Sequence, residues 1–104
     1  MVKIIAVTAC IAGIAHTYMA KANLEKFANK IGADIKVETQ GAMGIENRIT
    51  ETEVNEADIV IFAVDTNVTD RDRFTGKKIL EVGTTDVIKN GEKVINDAIN
   101  AIEN

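Results

Sequence analysis

The chain has 104 residues, 46% apolar and 27% charged, with 12 Lys and Arg against 16 Asp and Glu for a formal net charge of −4. These values describe one globular domain that buries about 65% of its unfolded surface; they exclude a disordered chain and leave no basic block to follow a nucleic-acid backbone. One cysteine and one histidine allow no internal disulfide and fall short of a tetrahedral Cys/His zinc site, so the thiol is expected free, in a reducing compartment, with no metal.

The run from Met1 to Val7 is apolar but far shorter than a membrane span, and it lacks the basic region and cleavage site of a secretory signal. A cytoplasmic location is expected. Lys3 to Thr8, rich in Ile and Val, reads as a parallel strand covered on both faces, hence central in its sheet. Ala9 to Ala15 is too small and irregular to extend it. From His16 or Thr17 the spacing turns helical, with Ala20, Leu24, Phe27, Ala28 and Ile31 on the apolar side and Gly32 as the stop.

Ala33 to Thr39 sets Ile35 and Val37 against Asp34, Lys36 and Glu38, which predicts an edge strand with one wet face. Gln40 to Gly44 reads as a loop. Thr50-Glu51-Thr52-Glu53 has the spacing of a capping box and starts a short helix through Ala57. Asp58 to Val64 is the second fully apolar run and a second buried strand.

Asp65 to Thr75 is polar and reads as a solvated loop or a single helical turn, with no catalytic role assigned to its charges. Ile79 to Val82 makes a last short strand. Thr84 or Thr85 then caps a helical region whose stripe is Val94, Ile95, Ala98, Ile99 and Ile102, with Gly91 interrupting or opening it.

Strands joined by crossover helices predict an α/β fold, residues 1–104 forming a single domain. The expected sheet is four-stranded and parallel with helices on both faces, doubly wound in the Rossmann or flavodoxin manner. Such sheets bind ligands beyond the carboxyl ends of their strands, beside the switch point. The loop after the first strand stands there.

That loop holds the only cysteine and ends at the only histidine and tyrosine. A thiol has a pKa near 8.5 when free, and the unpaired N–H groups of a helix start favour its thiolate. Cys10 is therefore expected to be a nucleophile in the floor of an anion cradle formed by Ile11, Ala12, Gly13, Ile14, Ala15, His16 and Thr17. Gly13 lets the backbone approach an anion, and Ala12 and Ala15 leave room. Most lone cysteines are only small buried hydrophobes, and His16 is open to two readings, bonding the loop backbone or carrying charge towards a phosphate. Met19 and Met43 read as packing residues.

Small cysteine-dependent phosphatases place an arginine six residues after the nucleophile, where its fork clamps the phosphoryl oxygens. Here that residue is His16, followed by Thr17. Without the guanidinium, hydrolysis of a phosphocysteine is poorly supported, and a longer-lived phosphoenzyme suits a relay.

Cys10 with the run from Gly13 to Ala20 resembles the enzyme IIB domains of the fructose family in the bacterial phosphoenolpyruvate-dependent sugar phosphotransferase system (PTS). The likeness continues through Val37-Glu38-Thr39-Gln40-Gly41, Gly44-Ile45-Glu46-Asn47, Ala57-Asp58, Arg73-Phe74 and Gly76-Lys77. The resemblance implies that Cys10 accepts a phosphoryl group from phosphohistidine on a IIA partner. It then passes the group to fructose or a related sugar entering through a membrane IIC partner, which would hold the protein peripherally at the inner membrane. No metal or organic cofactor is implied. Ile11-Ala12 departs from the Pro-Thr usual in the family, removing a rigid backbone element and a hydroxyl donor. Two other readings stand beside the relay: a hydrolase of the low-molecular-weight phosphatase type, and a non-catalytic regulatory or binding module.

Overall fold

The computed structural model describes residues 2–10, 14–41 and 44–103. Its strands are β1 (Lys3–Ala9), β2 (Asp34–Gly41), β3 (Gly44–Glu46), β4 (Ile59–Val64) and β5 (Ile79–Val82), and its helices α1 (Ile14–Lys30), α2 (Glu51–Glu56) and α3 (Thr84–Glu103). A short 3-10 turn covers Arg71–Phe74. The sheet order is β3-β2-β1-β4-β5. β1 lies parallel between β2 and β4, with Ile4 opposite both Ile35 and Ile59, and β5 runs parallel to β4. The four parallel strands are the four expected, and the continuous apolar runs of β1 and β4 agree with their burial, β1 at the centre of the sheet.

The fifth strand corrects the expected four-stranded sheet. β3 runs antiparallel to β2, with Gln40 opposite Ile45, in a segment that reads as the approach to and exit from a loop. Three residues with one apolar side chain carry no periodicity, and pairing with the β2 backbone decides their conformation. α1 also starts at Ile14, earlier than its spacing suggests, and Ile31 is half exposed rather than part of the stripe. Gly32, at φ +76°, ends the helix as expected, with Ala33 N–H donating back to Ala28 C=O.

On one face of the sheet Ile4 and Ala6 of β1, Val37 of β2 and Ile59, Ile61 and Ala63 of β4 pack beneath α1 and α3. Ala20, Leu24 and Ala28 form the buried side of α1, and Val87, Val94, Ile95 and Ala98 that of α3. α3 kinks at Asn90 (φ −138°, ψ 49°). There Asn23 Nδ2 of α1 donates to the carbonyls of Val87 and Ile88, at 3.1 and 2.9 Å, which the break releases from helical pairing. Gly91 follows because α1 is close: a Cβ there would lie 2.8 Å from Phe27 Cδ2.

The other face carries Ile5, Val7, Val60 and Phe62 against Ile49, Val54 and Phe74, with the two phenyl rings edge to face at 5.4 Å. α2 begins with the expected capping box: Thr50 Oγ1 accepts from Glu53 N–H, and Glu53 Oε1 accepts from Thr50 N–H.

β2 is not the expected edge strand, since β3 pairs with its outer side, and its expected wet face is wet only at Asp34 and, in part, Lys36. Glu38 is fully buried, because Arg73 reaches over from the 3-10 turn and donates to both its oxygens, Nη1 to Oε1 at 2.7 Å and Nη2 to Oε2 at 2.5 Å. Ile49 N–H and the Gln40 amide donate to the same carboxylate, and Gln40 also exchanges hydrogen bonds with the Thr69 backbone. Burial pushes the Glu38 carboxyl up, but these donors, Arg73 foremost, outweigh it and hold the group below its ordinary value of 4.5.

Replacing Arg73 with Met leaves Glu38 buried without its cation and is expected to cost about 3–5 kcal/mol in urea denaturation. A carboxyl with a depressed folded-state pKa stabilises above its unfolded value, and the contribution fades as pH falls through the folded value. The wild type should therefore lose it below the ordinary 4.5. Burial dominates in R73M, so acidification should narrow the gap between the two proteins; a gap that stays constant contradicts the assignment. Gly91→Ala should lower stability by about 1–3 kcal/mol through the Phe27 contact, where helix propensity alone predicts a gain.

Candidate functional site

Cys10 is the residue after β1, with 8% of its surface exposed. Ile11, Ala12 and Gly13 of the expected cradle lie outside the described residues. Ile14, Ala15, His16 and Thr17 open α1, whose first turn holds no acidic residue and so offers its unpaired N–H groups to an anion. Ala15 and His16 are exposed. Thr17 is buried, and its hydroxyl has no hydrogen-bond partner among the described residues. The same holds for Thr8 and Thr39, which face each other across the β1–β2 register.

The sequence places Asp65 among the solvated charges of the 65–75 loop, but the structure sets it beside Cys10. Asp65 follows β4, and its N–H donates to Ala9 C=O at 2.9 Å, extending the pairing of β4 with β1 and bringing the side chain alongside Cys10. Cys10 Sγ, a ring nitrogen of His16 and a carboxylate oxygen of Asp65 all lie within 4.8 Å of one another. The signal for Asp65 is its place: the carboxyl end of an apolar strand that a doubly wound order sets beside the first.

Asp65 is anchored from the far side by Thr84 at the start of α3. The Thr84 N–H donates to Oδ1 at 3.1 Å and the Thr84 hydroxyl donates to Oδ2. Thr84 is fully buried, so its hydroxyl has little choice of partner. That hydroxyl is the main reason the Asp65 carboxyl lies below its ordinary 3.8; burial pushes the other way, and the Cys10 thiol, the Thr84 N–H and the nearby His16 add to the lowering. Gly83 fits close by, where a Cβ would stand 3.3 Å from Asp65 Oδ1. The carboxylate is thus held ionised beside the thiol, with no proton to deliver.

Around this centre α1 presents Tyr18 and Met19, 41% and 50% exposed, so Met19 is not the packing residue expected, and Met43 lies outside the described residues. The Tyr18 hydroxyl donates to the Glu46 carboxylate, which ties α1 to β3 and holds the phenol above its ordinary value. Among the described residues no helix is long and apolar enough to cross a membrane.

Residues 5–97 match the model of a family described as the lactose/cellobiose-specific IIB subunit of the PTS. The fructose-like EIIB component 2 of Escherichia coli K12 is 46% identical over 95 residues, 91% of this chain and 90% of that protein. The fructose-specific EIIABC component of Bacillus subtilis 168 is 44% identical over 98 residues, 94% of this chain but 15% of that longer protein. Among solved structures, a domain of the fructose-specific IIABC component from Borrelia burgdorferi has a TM-score of 0.90 at 48% identity, covering 95% of this chain and 94% of that one.

Thr84→Val removes the hydroxyl that does most to hold Asp65 ionised. The midpoint of the Asp65 carboxyl, followed by carbon-13 NMR, should then rise towards 3.8, and the stability that the ionised group contributes above that value should shrink. An unmoved midpoint would show that another group controls Asp65.

Proposed function

The chain belongs to the IIB family of the phosphoenolpyruvate-dependent sugar phosphotransferase system, with fructose-type EIIB components among its relatives, and we propose that it carries the phosphoryl group on Cys10. The observation that carries this reading is the position of Cys10, at the carboxyl end of the central strand and just before a helix whose first turn holds no acidic residue.

Cys10 Sγ attacks the phosphorus of a phosphohistidine on a IIA partner. The S–P bond forms as the P–N bond breaks, and the histidine nitrogen leaves with the bonding pair. The thiol proton passes to water at the exposed rim, because Asp65, held below its ordinary 3.8, is too weak a base to keep it. Backbone N–H groups from the loop at 11–13 and from Ile14 and Ala15 hold the phosphoryl oxygens, His16 orients the group from the rim, and the Thr17 hydroxyl, which has no partner among the described residues, donates to the phosphoryl group. In the second step a sugar hydroxyl attacks phosphorus, the S–P bond breaks, and the electron pair returns to Cys10 as thiolate.

The donor is a IIA protein or domain, and the sugar arrives through a membrane IIC partner, which holds this chain at the membrane surface. The name of the Bacillus relative joins A, B and C components in one protein, which supports that pairing. The sugar is fructose or a close relative. Transfer is favoured over hydrolysis on two grounds. His16 stands where a phosphatase needs a guanidinium fork, and Asp65 is held ionised, so it has no proton to give a leaving alcohol.

Incubation with a matching IIA that already carries a labelled phosphohistidine should place one phosphoryl group on the wild type and none on Cys10→Ser, with negligible turnover of an aryl phosphate. Label that survives in C10S, or rapid aryl phosphate hydrolysis, would sink the relay reading.

A further inference from the structure

The composition argues against a metal site by counting Cys and His alone, but the fold adds a carboxylate to them. We propose that Cys10, His16 and Asp65 form a capture site for a thiophilic divalent cation of the Zn²⁺ class, and that its occupancy shuts off phosphoryl transfer. The binding half rests on the geometry; the inhibition half rests on the reading of Cys10 as phosphoryl carrier.

One ligand atom from each residue lies within 4.8 Å of the other two. Donors of a tetrahedral zinc centre, bonded at about 2.0–2.3 Å, stand about 3.3–3.8 Å apart. Roughly an ångström of closure is needed, and His16, exposed on the first turn of α1, can supply it by side-chain rotation. The other two donors are already placed. Cys10 is fixed at the end of the central strand, and Asp65 is fixed by the two Thr84 bonds, the outer hydrogen bonding that ligating carboxylates need.

The donor set selects the ion. Thiolate with imidazole favours Zn²⁺ and similar ions over Mg²⁺ and Ca²⁺, which take oxygen ligands. A thiolate, a carboxylate and a neutral imidazole balance the two positive charges, and the exposed side leaves a path of entry and a fourth position for water. On binding, the Cys10 S–H bond gives its proton to solvent and an S–Zn bond replaces it. Zinc draws off the negative charge of the thiolate and blocks the approach to sulfur, which slows attack on phosphorus, and a phosphorylated sulfur no longer carries the charge that makes it a strong zinc ligand. The two states compete for the same sulfur.

The full chain, freed of metal by a chelator, would be titrated with Zn²⁺ against a chromophoric competitor and with Co²⁺ as a spectroscopic substitute. One ion per chain, a sulfur-to-cobalt charge-transfer band and proton release on binding are expected. Cys10→Ser should abolish the band, and His16→Gln and Asp65→Asn should each weaken binding by about tenfold or more, the scale on which even a supporting partner of a ligand matters. Lys30→Gln, at the far end of α1 from His16, should bind as the wild type does. Circular dichroism checks that each variant is folded. Binding unchanged in C10S or D65N overturns the site. Phosphorylation by IIA, run with and without zinc, separates the two readings. Label that forms equally in both defeats the inhibition and leaves the relay standing; no label in chelator-treated protein defeats the relay while the cobalt spectrum still judges the site.

Discussion

The structure depends on β1 being hydrogen-bonded on both sides by parallel partners. Ile4, Ile5, Ala6 and Val7 are each at most 4% exposed, so successive side chains enter opposite cores and neither face is free to slide. Burying each Ile or Val contributes about 1.5–3 kcal/mol, and a one-residue shift of register would send each side chain into the opposite core, among neighbours it does not fit. The end of β1 is therefore the least movable point at the carboxyl edge of the sheet. Cys10 sits there, and the Ala9 carbonyl that precedes it holds the Asp65 N–H. Thiol and carboxylate meet because one strand is pinned between two others.

A second constraint shapes the rim. The loop that leaves Asp65 is polar and could wander, but Arg73 is drawn under it by the buried Glu38, and Gln40 grips both atoms of the Thr69 peptide edge. The Arg73 guanidinium also covers the Phe74 ring at 4.7 Å. A buried pair of this kind adds little net stability over a well-packed apolar pair, yet removing one partner is costly. What it supplies here is direction, since only the conformation that brings Arg73 to Glu38 avoids stranding a charge. Strand β2 and the loop after β4 are thereby locked together across the second core.

Much of this was legible in the residues. The two continuous Ile/Val runs marked the buried strands because burial on both faces removes alternation, and Thr50 with Glu53 announced α2 because capping is a local affair of side chain and backbone. Gly91 marked the kink in α3 for a reason the sequence could not hold: the close approach of Phe27 from another helix. Three features were not legible. β3 is too short to show a period. Glu38 alternates as a wet residue would, and only its partner, 35 positions away, makes it a core residue. Asp65 looked like one charge among several until β4 was set beside β1. For the candidate site, Cys10 after β1 and His16 and Thr17 in the first turn of α1 are neighbours in sequence, whereas Asp65 and Thr84 come from elements distant in sequence, which no local pattern joins.

The presence of a carboxylate beside the proposed phosphoryl carrier then has a physical sense. Asp65 lies among groups that lower its pKa, so its negative charge is a fixed feature of the site rather than one that adapts to an arriving anion. Two anions a few ångströms apart repel, and the repulsion is only partly screened at a half-enclosed rim. A phosphoryl group on Cys10 would be attracted by the N-terminus of α1 and opposed by Asp65, leaving it held in position without being deeply stabilised. Thr84 and the start of α3 set the balance, because they draw the Asp65 charge towards their own N–H and O–H groups. For a carrier that must give up what it receives, a shallow well is the useful one: binding the intermediate more tightly than its neighbours in the relay would slow its release.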